Sequence, residues 1–359
     1  MFVKPNINRE SELFDALRQA LEQLPGVELS GGCGGKSGDP DAGIDSILSI
    51  TVQGKPVLVL VEFKQSGYPR DIHRDASRLS DHFRKRKPET VPLIAAPSIS
   101  PGSRNLLREQ QVGYFDAGGS LYLPLSSSMY LIDREPPRID RRLRSLYRGR
   151  SAQVLHVLLS DPARQWHVNE LAEESQVSPY TVHQVFTTLE KQLWIYKHGK
   201  GPESVRALSE PGALLNAWSE NYSLNQYEFR NYHLWSQSVS SLRLVVAEAL
   251  ENESVTYALT LAAGAELVAP FATAVNRLHL IVPATAKLDT VVQATGMKPV
   301  DDGANVTFMV TREQAPLLLR RRVERDWVAS DVQLYLDLQH WPSRGKEQAE
   351  YLRKERLRF

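Results

Sequence analysis

The nine residues "PVLVLVEFK" at positions 56–64 restrict the fold more than any other stretch of the chain. Both alternating faces of the run are apolar until Glu62, a pattern that suits a central strand covered on two sides rather than a strand with one wet face. Just upstream, "IDSILSITVQGK" is another strand pattern, joined to the first through a turn near Gln53-Gly54-Lys55. With Gln53-Gly54 as a two-residue loop, Asp45 faces Glu62; with Gly54-Lys55, Asp45 faces Lys64. Either register collects Asp45, Glu62 and Lys64 on one face of the hairpin, because directly opposed residues share a face; a three-residue loop or a bulge would break this.

Two carboxylates converging at the end of a buried strand repel each other unless a cation sits between them, and Mg²⁺, which prefers oxygen ligands, is the usual solution. A neighbouring ammonium group can orient or deprotonate a water, or stabilise charge developing on a phosphorane. That is equipment for phosphodiester hydrolysis. As Gly43-Ile44-Asp45 followed by Glu62-Phe63-Lys64, these residues resemble the PD-(D/E)xK nuclease superfamily, over about the first third of the chain. The resemblance implies a restriction-endonuclease-like α/β domain at residues 1–128. It implies Asp45, Glu62, Lys64 and Gln65 as catalytic residues and Asp45 and Glu62 as Mg²⁺ ligands if the site is active. A further glutamate is allowed from the first helix, where Glu10 or Glu12 would serve. That helix, "ESELFDALRQALEQL", places Leu13, Leu17, Ala20, Leu21 and Leu24 on one face, and further strands are expected at "VPLIAAPS" and "SLYLPL".

The glycine-rich stretch "SGGCGGKSGDPDAGID" at 30–45 invites a phosphate-loop reading. A Walker A loop ending in Gly35-Lys36-Ser37 needs glycine at position 30, which is Ser30, and only a weak strand leads into it. The stretch is therefore expected to be a flexible approach to Asp45, with Lys36 touching phosphate as any loop lysine does. Asp39 and Asp41 are spare metal-ligand candidates.

At 359 residues and 42% apolar, the chain can bury more than one core, and two or three domains are expected. The formal charge is only +1, so nucleic-acid affinity must come from local basic patches. Cys33 is the single cysteine, which excludes an intrachain disulfide and a cysteine-based zinc site. The amino terminus lacks an apolar signal region and no apolar run approaches a membrane span, so a soluble cytoplasmic protein is expected, with no membrane partner. Three blocks emerge. The first is followed by a basic linker at 129–150, with seven arginines between Arg134 and Arg150 against Glu135 and Asp140.

Residues 151–208 resemble a winged helix-turn-helix. "SAQVLHVLLSDP" supplies the first helix, and Asn169 is the expected N-cap of a short second one. Ser178 caps the third, with Pro179 at its first position, where the missing N–H costs nothing. Val182, Val185, Phe186, Leu189 and Leu193 form its buried stripe. Ser178, Tyr180, Thr181, Gln184, Thr188 and Lys191 are candidates for DNA contact from this helix, being groups that reach base edges and phosphates in a major groove. Two short strands around Gly199-Lys200-Gly201 make a wing carrying Lys197, His198, Lys200 and Arg206. Arg141, Arg142, Arg148 and Arg150 of the linker are expected to neutralise phosphates. His183 and His198 are read as polar contacts rather than metal ligands.

The last block, 211–359, is expected to be an α+β domain, with strands at "LHLIVP" and "NVTFMVT". It lacks a Gly-Ser followed by paired aspartates, which argues against a nucleotidyltransferase. Its segments "YALTLAAGAELVAPF" and "DVQLYLDLQHWPSRGKEQAEYLRKE" resemble the carboxyl-terminal region of AbiEi-family antitoxins of type IV toxin-antitoxin systems. Members of that family are DNA-binding autoregulators; here, unlike there, the winged helix follows a nuclease-like domain. Arg320, Arg321 and Arg322 are read as a solvated helix face.

Together these readings make the chain an α/β multidomain protein. The expected function is a DNA-binding transcriptional regulator whose winged helix selects the site while the first domain adds contact to double-stranded DNA. An Mg²⁺-dependent endonuclease targeted by the same winged helix is the alternative, and a protein-interaction scaffold is a third possibility. A homodimer is expected from the symmetry of palindromic sites, and the antitoxin resemblance implies a toxin partner of unknown identity.

Overall fold

The computed structural model describes residues 7–29, 44–83, 90–126, 128–134, 145–201, 204–271, 275–342 and 344–359. The glycine-rich stretch with Lys36, Asp39 and Asp41 lies outside them, as do Arg141 and Arg142. The protein is mixed α/β and divides into two compact units, residues 1–140 with 191–193 and residues 141–190 with 194–359.

The first unit runs α1 (Ile7–Glu22), β1 (Val27–Leu29), β2 (Ser46–Val52), β3 (Lys55–Phe63), α2 (Pro69–Phe83), β4 (Thr90–Ala96), α3 (Pro101–Glu109), β5 (Gly113–Asp116), β6 (Leu121–Pro124) and β7 (Met129–Ile132). Its seven strands lie side by side in chain order. β3, β4 and β5 are mutually parallel and the remaining neighbours antiparallel. The parallel pairs require crossovers, which α2 and α3 supply. The β2–β3 turn is the two-residue Gln53-Gly54 loop, with Val52 opposite Lys55. Both loop residues have positive φ, 51° and 80°, as a type I′ turn demands; glycine meets this without strain, while Gln53 does so at some cost.

β3 is covered on both faces, as its sequence requires. Val57, Val59 and Val61 pack with Leu13, Leu17 and Leu21 of α1, and Leu60 packs with Ile72, Ala76 and Leu79 of α2. Because side chains alternate, Glu62 follows Leu60 onto the α2 face. At the far end of the sheet, β7 occupies residues 129–132 that the sequence assigns to the linker. Buried Arg104 ties this region together, its guanidinium reaching Asp116 at 2.6 Å, Asp133 at 3.0 Å and the Arg134 carbonyl at 2.7 Å.

In the second unit, α4 (Gly149–Ser160), α5 (Val168–Glu174) and α6 (Pro179–Lys191) lead into a hairpin of β8 (Ile195–His198) and β9 (Val205–Leu208). Trp166, between α4 and α5, bridges to Arg206 of β9 through two backbone hydrogen bonds of 2.8 and 3.0 Å. After α7 (Pro211–Asn221) comes a second seven-stranded sheet in the order β13-β10-β14-β12-β11-β16-β15. Its strands are β10 (Glu228–His233), β11 (Ala258–Thr260), β12 (Leu278–Pro283), β13 (Lys298–Pro299), β14 (Val306–Thr311), β15 (Arg321–Val323) and β16 (Asp326–Val328). Arg321 and Arg322 thus sit on a strand rather than a helix, and Arg320 lies over the Trp327 ring at 4.1 Å.

The three-helix segment is not separable from the block that follows it. Every residue of α4 from Ala152 to Leu159 is buried. His156 meets the Trp218 ring at 4.8 Å and lies 3.4 Å from the Ser330 hydroxyl, while Gln153 donates to Gln314. A helix buried on all sides needs cover on all sides, and the last block provides part of it. Deeper in the unit, Asp337 on α8 (Asp331–Gln339) is fully buried and accepts from Thr260 at 2.6 Å, Gln333 at 2.9 Å and the Tyr222 and Tyr227 hydroxyls. Burial raises its pKa to about 6 against those hydrogen bonds.

Candidate functional site

Two constellations of the sequence are displayed by the fold, one in each unit. The first is the notch at the end of β3. The paired register ends at Ser46 opposite Val61. The Asp45 N–H also reaches the Val61 carbonyl at 3.0 Å and Ile44 turns into the cluster of Leu60 and Ile72, so a bulge breaks the register before Asp45 comes opposite Glu62. The Asp45 carboxylate accepts the Phe63 N–H at 2.7 Å. Glu62 is buried, and Lys64 donates to one of its oxygens while Arg78 of α2 reaches the other at 2.5 Å. Lys64 also pairs with Asp75, which is buried on α2 and takes Arg74 at 3.0 Å. Burial acts to raise the Asp75 pKa, but the hydrogen bonds and charges of Arg74 and Lys64 prevail and hold it below the ordinary carboxylate range.

The residues expected at this site are gathered only in part. Glu62 and Lys64 pair at the end of β3, whereas Asp45 is exposed with its carboxylate on the Phe63 N–H, and Gln65 is exposed beyond the strand. Glu10 and Glu12 are exposed on α1, which packs on the opposite face of the sheet, so neither is brought to Glu62. Asp75, Arg74 and Arg78 are additional members that the hairpin pattern does not reveal. A signal was there for one of them: Asp75 falls in the stripe Ile72, Asp75, Ala76, Leu79, where a charged residue needs a buried partner.

Mg²⁺ coordination needs open carboxylate oxygens in near-octahedral array. In the notch both oxygens of Glu62 and both of Asp75 are engaged by Lys64, Arg74 or Arg78, and one oxygen of Asp45 is spent on the backbone. Among the described residues, no group of three or more His, Cys, Asp or Glu side chains could hold a metal ion. As arranged, these residues do not fit the ion that the nuclease resemblance implies.

The second constellation is the exposed face of α6 and the hairpin after it. Ser178 caps α6, its hydroxyl accepting the Thr181 N–H at 3.3 Å, and Val182, Val185, Phe186 and Leu189 are buried. This one-sided burial leaves the other face outward: Tyr180 is 72% exposed, and His183, Gln184 and Thr187 are exposed beside it. Thr181, Thr188 and Lys191 are half-buried, and the Thr188 hydroxyl is turned back to the Gln184 carbonyl at 2.9 Å. On the hairpin Lys197, His198 and Lys200 are exposed, together with Tyr196, an aromatic outside the expected set.

Other expected DNA contacts are placed differently. Arg206 is buried, pairing with Glu190 at 3.3 Å, donating to Ser204 at 3.1 Å and lying over the Phe186 ring. It holds the hairpin to α6 and is not an outward cation. Asn169 lies within α5, whose N-cap is His167. Arg150 is exposed in the first turn of α4, and Arg148, its N-cap, lines a 410 Å³ cleft with Arg312, Glu228 and Glu313. The carboxylates make that cleft a mixed-charge surface.

No helix among the described residues is long and apolar enough to cross a membrane. Comparison with protein-family models, curated proteins and solved structures gave no match in any of the three.

Proposed function

We propose that the chain is a DNA-binding transcriptional regulator in which α6 reads the duplex and the hairpin after it grips the backbone. One observation carries this reading: α6 buries its apolar stripe completely and turns Tyr180 and Gln184, with half-buried Thr181 beside them and Lys197 and Lys200 on the hairpin, toward solvent. Amide and hydroxyl groups on an outward helix suit base edges, and lysines on an adjacent hairpin suit phosphates. The order of helix, bridging strand, two helices and hairpin supports a winged helix-turn-helix. In the first unit, the order of helix, antiparallel strands, crossover helix and parallel strand supports the nuclease-like reading of the fold. Its role in this proposal is added contact with double-stranded DNA. The AbiEi-like resemblance of the last block supplies the regulatory context of an autoregulator, acting as a dimer on a palindromic site and answering to a toxin partner.

The test is selection of duplexes from a random pool by the full chain, followed by affinity measurement against an unrelated duplex at several salt concentrations. The regulator reading expects an enriched sequence bound at least about a thousandfold more tightly than unrelated DNA, with affinity falling steeply as salt rises. Plasmid cut in the presence of Mg²⁺, with cutting abolished by Asp45→Ala or Lys64→Ala, would instead establish the endonuclease. Absence of salt-dependent retention would leave the scaffold reading.

A further inference from the structure

The acidic notch carries its own cation. Glu62 and Asp75 are 5% and 3% exposed, and two carboxylates at that depth must be compensated to remain ionised. Lys64 bridges both of them from one side. Arg78 bridges them from the other, at 2.5 Å from Glu62 and 4.0 Å from Asp75. Arg74 completes the set on Asp75, so three basic side chains balance Glu62 and Asp75. A guanidinium binds carboxylate oxygens through a planar fork.

We propose that Arg78 is the resident cation of this notch, occupying the carboxylate oxygens a divalent metal would need and making the first domain metal-independent. It is a positioning residue, acting through Glu62. Its side chain is 37% exposed against 17% for Lys64, which marks it as the group a competing cation would have to displace. A divalent ion entering beside Lys64 and Arg78 would meet two positive charges and no vacant pair of oxygens. Truncating Arg78 opens one Glu62 oxygen beside Asp75 and removes one of those charges. The inference is independent of DNA binding by the second unit and can fail or hold without it.

The experiment is Mn²⁺ binding to the full chain, followed by electron paramagnetic resonance and calorimetry, in the natural protein, in Arg78→Ala and in Arg78→Ala combined with Glu62→Gln. The natural protein is expected to bind no Mn²⁺ at the notch. Arg78→Ala should bind one ion at least tenfold more tightly, and the double variant should lose it. Arg78→Gln, which retains a hydrogen-bond donor without the charge, serves if Arg78→Ala fails to fold by circular dichroism. One Mn²⁺ bound by the natural protein and lost in Glu62→Gln overturns the proposal, as does a folded Arg78→Ala or Arg78→Gln that gains no affinity. If neither variant folds, the natural protein and Glu62→Gln decide it: Mn²⁺ binding that depends on Glu62 overturns it, and its absence supports it.

Discussion

Arg206 and Lys200 belong to the same hairpin segment and carry the same charge, yet burial gives them opposite tasks. Arg206 is enclosed by Glu190, Ser204 and Phe186, so Arg206→Ala should lower stability by about 2 kcal/mol in urea unfolding and leave the salt dependence of DNA binding unchanged. Lys197 and Lys200 are exposed, so replacing both with alanine should leave stability unchanged. It should reduce the slope of log affinity against log salt by about 1 to 2, roughly one for each phosphate that is no longer neutralised. Asp337 makes a separate prediction about pH. Its pKa is raised to about 6 from an ordinary value of 3.8, so the folded state holds this proton more tightly than the unfolded state does. That contribution is complete below about pH 4 and is lost as pH rises through 6, amounting to about 3 kcal/mol. Asp337→Asn should flatten this part of the stability profile, as read by chemical denaturation between pH 4 and 7.

At the scale of elements, α6 and α4 differ in how they are covered. α6 shows solvent one face, and Gln184→Ala and Tyr180→Ala should each cost about 1 to 3 kcal/mol of discrimination between selected and unrelated duplex, without changing the melting temperature. α4 is buried from Ala152 to Leu159, and burial depresses the His156 pKa to about 3. A neutral buried imidazole stabilises the fold above pH 6.5, and that stability drains away as pH falls from there toward 3. His156→Gln should therefore remove about one proton from the uptake on unfolding at pH 5, measured as the slope of stability against pH. These differences also mark what was legible in the sequence. β2 and β3 were legible because they run seven and nine residues, one alternating and the other apolar on both faces, and are joined by a turn with glycine. β5 and β7 have four residues each, too few to show a period, and owe their strand conformation to neighbours already in the sheet. Glu62 and Lys64 could be placed together by counting along one strand, whereas Asp45 could not be placed that way, because the register breaks before it. Arg78 could not, because it arrives from a crossover helix whose docking is a tertiary event.

For the whole molecule, a net charge of +1 over 359 residues leaves no general attraction to DNA, so the proposed binding requires a local surface, the outward face of α6 and its hairpin. Because α4 shares its core with the block after the hairpin, a fragment ending near residue 208 should expose that core. It should unfold or aggregate, while residues 145–359 expressed together should fold cooperatively in calorimetry. The decisive measurement puts the photocrosslinker benzoylphenylalanine in place of Tyr180, which is 72% exposed at the start of α6, and irradiates the protein on its selected duplex. Covalent attachment to bases of the selected sequence, suppressed by unlabelled competitor duplex, is the expected result. DNA held tightly with no crosslink from position 180, and none from the same probe at position 184, would contradict recognition by this helix.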